Sequence, residues 1–189
     1  MRENKSKYAV LGLLGMGPMS GYDIKKKFEK ITGNFWNESY GQIYPILKRL
    51  ADQGLATKSI EKQDGKPDRH IYALTEEGRV VLQRWLAEPV ARHIGRHEIL
   101  LKLFFGKQVS LAENIQQIEH FRNLSMAELT EIKSIEAYLK TEKQDDPNLD
   151  FQLMTANYGK HVNRAILNWC DDTLSQLQKM VEKTKKITS

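Results

Sequence analysis

Between Ser39 and Leu74 the chain reads SYGQIYPILKRLADQGLATKSIEKQDGKPDRHIYAL: an amphipathic helical stretch, a glycine stop, and two short β-prone runs flanking a basic Gly-Lys-Pro turn. Tyr40, Ile43, Leu47 and Leu50 recur at spacings of three and four, so one stripe of this helix docks inward while Gln42, Lys48 and Arg49 face away. Pro45 removes the amide that would bond the Gly41 carbonyl, so either the helix kinks there or its regular part starts nearer Ile43. Gly54 supplies a C-terminal cap. Thr57 to Lys62 and His70 to Leu74 are expected as paired strands, and residues 63–69 as a turn exposing two cations at its tip.

The flanks complete the unit. From Lys7 to Met16 apolar residues cover most of one helix, which is therefore expected to be buried; Gly17-Pro18 stops it. Ser20 offers an N-cap to a second helix carrying Tyr22, Ile24 and Phe28, with Lys25, Lys26, Lys27 and Lys30 on its remaining surface. Phe35 and Trp36 read as a core plug before the third helix. Thr75, Glu76 and Glu77 open a fourth helix whose buried side is expected to hold Val81, Leu82, Trp85 and Leu86, and Pro89 closes the half. Three helices, a two-stranded hairpin and a following helix make a winged helix-turn-helix over residues 1–89.

Charge agrees with that layout. Residues 1–89 carry 15 basic and 11 acidic side chains, and the rest 14 and 13, so most of the net +5 lies in the first half, where a polyanion is attracted. A DNA major groove about 12 Å wide admits one helix. Gln42 is suited to pair bidentately with adenine, Lys48 and Arg49 to reach guanine or phosphate, and Lys62, Lys66 and Arg69 to follow a flanking backbone or minor groove. Gly41 lets backbone approach a phosphate closely.

Residues 90–189 read as an α-helical second domain. Ile99, Leu100, Leu103, Phe104 and Phe105 form an apolar patch too greasy to be left in water. Ser110 then caps a long helix with Leu111, Ile115, Ile118, Phe121, Leu129, Ile132, Ile135 and Leu139 at three-four spacing. A polar loop, residues 143–148, returns the chain into a last helix whose stripe runs through Phe151, Met154, Tyr158, Val162, Ile166, Trp169, Thr173, Leu177 and Met180. Two antiparallel helices of roughly 30 residues, each about 45 Å long, cannot fully cover both stripes by themselves. A second copy of the chain is the expected cover, and a twofold homodimer would set two reading helices about 34 Å apart, matching successive major grooves. Phe104, Phe121, Tyr158 and Trp169 are candidates either for ordinary packing or for enclosing an aromatic or apolar effector.

Other classes find little support. The only cysteine, Cys170, has no intrachain partner, which excludes a disulfide framework and fits a reducing cytoplasm. The start MRENKSKYAVLGLLGMG imitates a signal peptide, but Gly12, Gly15 and Gly17 interrupt its apolar run and the same segment is needed as a core helix. No stretch approaches the roughly 18 apolar residues that span a bilayer. No phosphate loop, nucleophile elbow or zinc-protease helix occurs, so neither a catalytic residue nor a cofactor is expected. His93, His97 and Glu98 invite a metal reading, but His120 and His161 lie in other helices, and no metal site is assigned.

Several stretches together carry a resemblance: the opening YAVLGLL, SGYDI from Ser20 to Ile24, FWNESYGQIYPILKRLADQGL from Phe35 to Leu55, the GKPDR wing tip, YALTEEG from Tyr72 to Gly78, and the pair Trp85 and Leu86. In this order they resemble the PadR-like transcriptional regulators over nearly all of the first 86 residues. Generic winged helices share the layout but not GQIYP followed by a G-K-P-x-R wing. The second half is similar in length to the larger PadR subgroup, which includes virulence-activator-like members. The resemblance implies a cytoplasmic homodimer that binds a palindromic operator on double-stranded DNA, usually represses, and in some cases answers to a small molecule such as a phenolic acid. The candidate DNA-binding residues are then Tyr22, Ser39, Tyr40, Gly41, Gln42, Tyr44, Lys48, Arg49, Lys62, Lys66 and Arg69. The competing reading is a winged-helix module that binds protein and has no specific DNA target.

Overall fold

The computed structural model describes residues 5–32, 35–36, 38–62, 68–90 and 95–188, and its two units, Met1–Arg92 and His93–Ser189, each have a core of their own. In the first unit helix α1 (Ser6–Leu14) buries Tyr8, Val10, Leu11, Leu13 and Leu14, as expected of a helix apolar on most faces. Gly17 then turns the chain at φ 137°, a conformation that side-chain-bearing residues avoid. The next two residues form β1 (Met19–Ser20), a strand too short to leave a period in the sequence. Helix α2 (Gly21–Lys27) starts on the Ser20 cap and widens into a single π turn at Phe28–Thr32, burying Ile24 and Phe28.

Helix α3 runs without interruption from Tyr40 to Asp52, with Pro45 inside it. The delayed start near Ile43 is not what forms: the helix begins at Tyr40, ahead of the proline, which withdraws the bond to the Gly41 carbonyl. Its inward stripe is Ile43, Ile46, Leu47 and Leu50; Tyr40, expected on that stripe, is exposed instead. The helix ends in a Schellman turn. Leu55 N–H donates to Leu50 O at 2.9 Å and Gly54 N–H to Ala51 O at 3.1 Å, with Gly54 at φ 71°.

That turn delivers the chain into β2 (Ala56–Glu61), which pairs antiparallel with β3 (Arg69–Leu74) from Ala56↔Leu74 to Glu61↔Arg69. On its other edge β3 takes β1, Met19 facing Tyr72 and Ser20 facing Ile71, so the sheet order is β1-β3-β2. Helix α4 (Glu76–Ala87) begins at Thr75, whose hydroxyl accepts from Gly78 N–H at 3.0 Å and donates to Gly54 O at 2.7 Å. Trp85 stacks on Tyr8 with ring centroids 4.4 Å apart and planes 4° from parallel. Leu86, expected on the buried side with Val81, Leu82 and Trp85, points outward. Gly78 has no alternative: a Cβ there would overlap the Leu55 carbonyl and lie 2.8 Å from the Leu74 side chain.

The second unit comprises α5 (Glu98–Phe104), a 3-10 turn (Gly106–Gln108), α6 (Leu111–Glu142) and α7 (Leu149–Thr188). Ser110 and Glu113 close a reciprocal cap on α6, with Ser110 N–H donating to Glu113 Oε2 at 2.8 Å and Glu113 N–H to Ser110 Oγ at 3.2 Å. The two long helices run antiparallel, as their cross-links show: Arg122 meets Asp171 at 2.6 Å, and Glu136 meets Lys160 at 2.6 Å. Cys170 is fully buried with Ile118 and Leu177, and that burial pushes its thiol pKa above the usual range. The expected stripe of α7 is only half inside. Ala156, Gly159, Asn163 and Leu167 are buried, whereas Phe151, Met154 and Tyr158 stay 68%, 66% and 68% exposed. In the α5 patch, Ile99 and Leu103 pack against the core while Leu100, Leu101, Phe104 and Phe105 remain outside.

Candidate nucleic-acid interface

Four buried aliphatic side chains on α3 dictate which residues the helix shows. With Ile43, Ile46, Leu47 and Leu50 turned in, the exposed surface is Tyr40, Gly41, Gln42, Tyr44, Lys48 and Arg49, preceded by exposed Ser39. This places seven of the eleven sequence candidates at or on one helix, clear of the core. Gly41 meets nothing closer than Ser39 Oγ, 3.8 Å from where its Cβ would lie, so the backbone is open to approach from outside. The first-turn amides of a helix have no intrahelical acceptors and attract anions.

Two side chains on this face already have work. Gln42 Oε1 accepts from Ser39 N–H at 2.9 Å and from Ser39 Oγ–H at 2.8 Å, making Gln42 part of the cap of its own helix. A bidentate pair with adenine uses that same oxygen as an acceptor. In this arrangement only the Gln42 amide nitrogen is available to a base. Arg49 Nε donates to Pro45 O at 3.3 Å, which anchors the guanidinium along the helix without burying it.

Aromatic residues extend the surface from α3 onto α2. Tyr40 and Tyr44 stack at 6.4 Å, and the Tyr44 ring lies over Gly21, where a Cβ would come within 2.8 Å of Tyr44 Cε1. Tyr22 is exposed, with Lys26 Nζ 4.6 Å from its ring centroid; a hydrogen bond with Tyr22, followed by electrostatic attraction to it, raises the Lys26 pKa. In the sequence Lys26 is one of four lysines expected on the surface of the second helix, with nothing to single it out. Its neighbour Lys25 is paired with Glu29 at 3.2 Å, a distinction that i,i+4 spacing signals.

On the wing, Lys62 is exposed and Lys66 lies outside the described residues. Arg69 differs from both. Its Nη2 donates to Asp23 Oδ1 at 2.7 Å, to Asp23 Oδ2 at 2.6 Å and to Ser20 Oγ at 3.1 Å, while Nη1 lies 3.9 Å from Glu61 Oε2. Burial pulls the Asp23 pKa up, but hydrogen bonds from Ser20 and the Arg69 charge together hold it below the usual carboxylate value.

The four effector-pocket candidates are not gathered in one place. Phe121 and Trp169 meet edge-to-face at 6.3 Å around the second core, and Phe104 is 81% exposed against Phe105. Tyr158 and Trp169 stand 11 residues apart on α7, about 16 Å along the axis. Of the four, Phe121 lines a concavity of about 400 Å³ together with Arg96, Lys102, His120 and Leu124, while another of about 430 Å³ is lined by residues including Ile99, Lys102, Leu103, Phe105 and Asn114 and by none of the four. His93 lies outside the described residues, and among those described no three histidine, cysteine or acidic side chains converge as metal ligands. Nor is any described helix long and apolar enough to cross a membrane.

Comparison with known proteins bears on both units. Residues 10–84 match the transcriptional regulator PadR-like family, and residues 95–178 match the family described as virulence activator alpha C-term. The negative transcriptional regulator PadR of Bacillus subtilis is 39% identical over 109 residues, an alignment covering 57% of this chain and 59% of that protein's length. The crystal structure of B. subtilis PadR with operator DNA superposes with a TM-score of 0.79 at 28% identity, covering 92% of this chain and 99% of that one. The same protein with p-coumaric acid gives 0.72 at 25% identity, covering 94% and 99%.

Proposed function

The chain belongs to the PadR-like family of transcriptional regulators, which are not enzymes, and from this premise we propose that it is a cytoplasmic repressor that binds a palindromic operator as a homodimer and is released by a small-molecule effector. The observation that carries the reading is the outward face of α3, where Tyr40, Gln42, Tyr44, Lys48 and Arg49 stand over a fully buried aliphatic stripe. A helix presented in this way fits a major groove, with Lys62 at the end of β2 beside the adjacent backbone. Residues 1–89 are assigned to DNA binding and residues 90–189 to dimerisation and sensing.

The dimer role rests on what α7 leaves uncovered. Phe151, Met154, Tyr158 and Val162 follow one another at helical spacing on the outside of the hairpin, an apolar row left open to water. A second copy related by a twofold axis buries that row against itself and pairs the two reading helices. Release follows if a ligand binds one dimer state better than the other. The relative solved with p-coumaric acid supports a small aromatic acid as the ligand class, and concavities of 400–430 Å³ suit that size.

Fluorescence anisotropy on a duplex from upstream of the coding sequence tests the reading. Affinity should fall by about three or more orders of magnitude between 50 and 200 mM salt if six or more phosphates are contacted. Replacing Lys48 and Arg49 together by alanine should weaken it at every salt concentration. Binding that ignores both salt and these substitutions would move the interface elsewhere and favour a protein-binding module.

A further inference from the structure

Arg69 stands where a wing cation would be expected to reach for phosphate, yet its surroundings are those of a structural joint. The guanidinium is engaged by both oxygens of Asp23 and by Ser20 Oγ, with Glu61 close by, and its side chain is only 36% exposed beside an Asp23 that is 35% exposed. Asp23 in turn has a second task. Its Oδ2 accepts from Ser20 N–H at 2.9 Å and from Ser20 Oγ–H at 2.7 Å, and its own N–H donates to Ser20 Oγ at 3.3 Å. One carboxylate therefore closes the start of α2 and grips the first residue of β3. Three elements meet there: β1 through Ser20, α2 through Asp23, and the wing through Arg69.

The elements so joined carry the reading surface. Gly21 and Tyr22 lie inside the Ser20–Asp23 cap, Tyr44 of α3 rests on Gly21, and Glu61, opposite Arg69 in the register, ends the outgoing wing strand. We propose that Ser20, Asp23 and Arg69 form a strut fixing the angle between the wing and the α2–α3 head, and that Arg69 is a positioning residue, not a phosphate ligand. A phosphate would have to displace a charged pair held at 2.6–2.7 Å and would leave Asp23 facing the nucleic acid unpaired. Contact with the backbone is left to cations with no such partner, Lys62 among them. The inference rests on the DNA-binding reading above.

The two roles predict opposite results in the full-length protein. Asp23→Asn keeps an amide oxygen for the Ser20 cap but removes one negative charge near the DNA, so electrostatics alone would tighten binding. The strut predicts the reverse: Asp23→Asn and Arg69→Met each weaken operator binding roughly 5- to 30-fold, and the double variant is no worse than either single one. The slope of log affinity against log salt should stay at the wild-type value in all three, whereas loss of a phosphate ligand lowers it by about one per contact. Arg69→Lys, which keeps the charge but not the fork, should behave like Arg69→Met. Tighter binding by Asp23→Asn, or a reduced slope in Arg69→Met, overturns the proposal.

Amide hydrogen exchange without DNA provides a separate readout. Both single variants should speed exchange by about 10-fold at the turn-proximal ends of β2 and β3, around Glu61 and Arg69, because that end of the hairpin loses its tie to α2. Unchanged exchange there would sink the strut. Should the wild-type protein bind no DNA under any condition, the functional reading fails, and the strut stands or falls on exchange alone.

Discussion

The two halves of this chain bury apolar surface in different ways. In the first, Leu11, Ile24, Phe28, Ile43 and Leu47 from three helices converge on one centre with almost no exposure, and α4 seals it through the Tyr8–Trp85 stack. In the second, a core of Ile118, Cys170 and Leu177 lies beneath a hairpin whose outer side shows Phe151, Met154 and Tyr158 and whose α5 shows Leu101 and Phe104. The first half completes its core within one chain, and the second has apolar surface left over. A helical period identifies a buried face but not the molecule that buries it.

Attacking the leftover surface should have the largest effect. Met154→Glu combined with Tyr158→Glu is expected to halve the mass seen by light scattering and to weaken operator binding at least 100-fold, since each reading head would then bind alone. An unchanged mass would place the dimer contact elsewhere. Leu47→Ala, in the self-contained core, should cost about 2–5 kcal/mol in denaturant unfolding, while Leu101→Ala in an isolated monomer should cost well under 1 kcal/mol. Equal costs would erase the contrast between the halves.

A smaller and pH-dependent effect is expected at Glu136. Hydrogen bonds from Lys140 at 2.8 Å and Lys160 at 2.6 Å hold its carboxyl at a pKa of about 2. Because this is below the unfolded value, the stabilisation is complete above about pH 4.5 and disappears as pH falls towards 2. Glu136→Gln should therefore lose about 1–2 kcal/mol at pH 7, allowing for solvent screening, and almost nothing at pH 2. The smallest change is expected at the head of α3. Gln42→Ala should lose about 0.5–1 kcal/mol of stability, and Gln42→Glu should recover it because a glutamate closes the same capping box. Whether operator choice follows the cap or the amide nitrogen is then read by comparing the two on base-substituted duplexes.

What the sequence made legible was local. The Ser110 cap, the Gly54 cap and the two wing strands are signalled by neighbours within a few residues and form at those places, β2 shifted one residue earlier at both ends and β3 starting one residue earlier. Strand β1 escaped because two residues carry no alternation. On α7 the inward face also takes Ala156, Gly159 and Asn163, which carry no apolar signal in the sequence, while Phe151, Met154 and Tyr158 of the expected stripe stay outside. Arg69 was legible as a cation but its partner was not, since Asp23 lies 46 residues away in the chain. Charge can be read from sequence, but the partner that neutralises it depends on the tertiary fold.

Cys170 gives the second unit a built-in clock. A fully buried thiol whose ionisation is suppressed cannot react until the helices around it part, and no other cysteine competes for the reagent. The rate at which a thiol-specific dye labels the untouched wild-type protein thus measures how often the hairpin opens. Any ligand or operator that tightens the hairpin will slow that rate, without a label having to be engineered in.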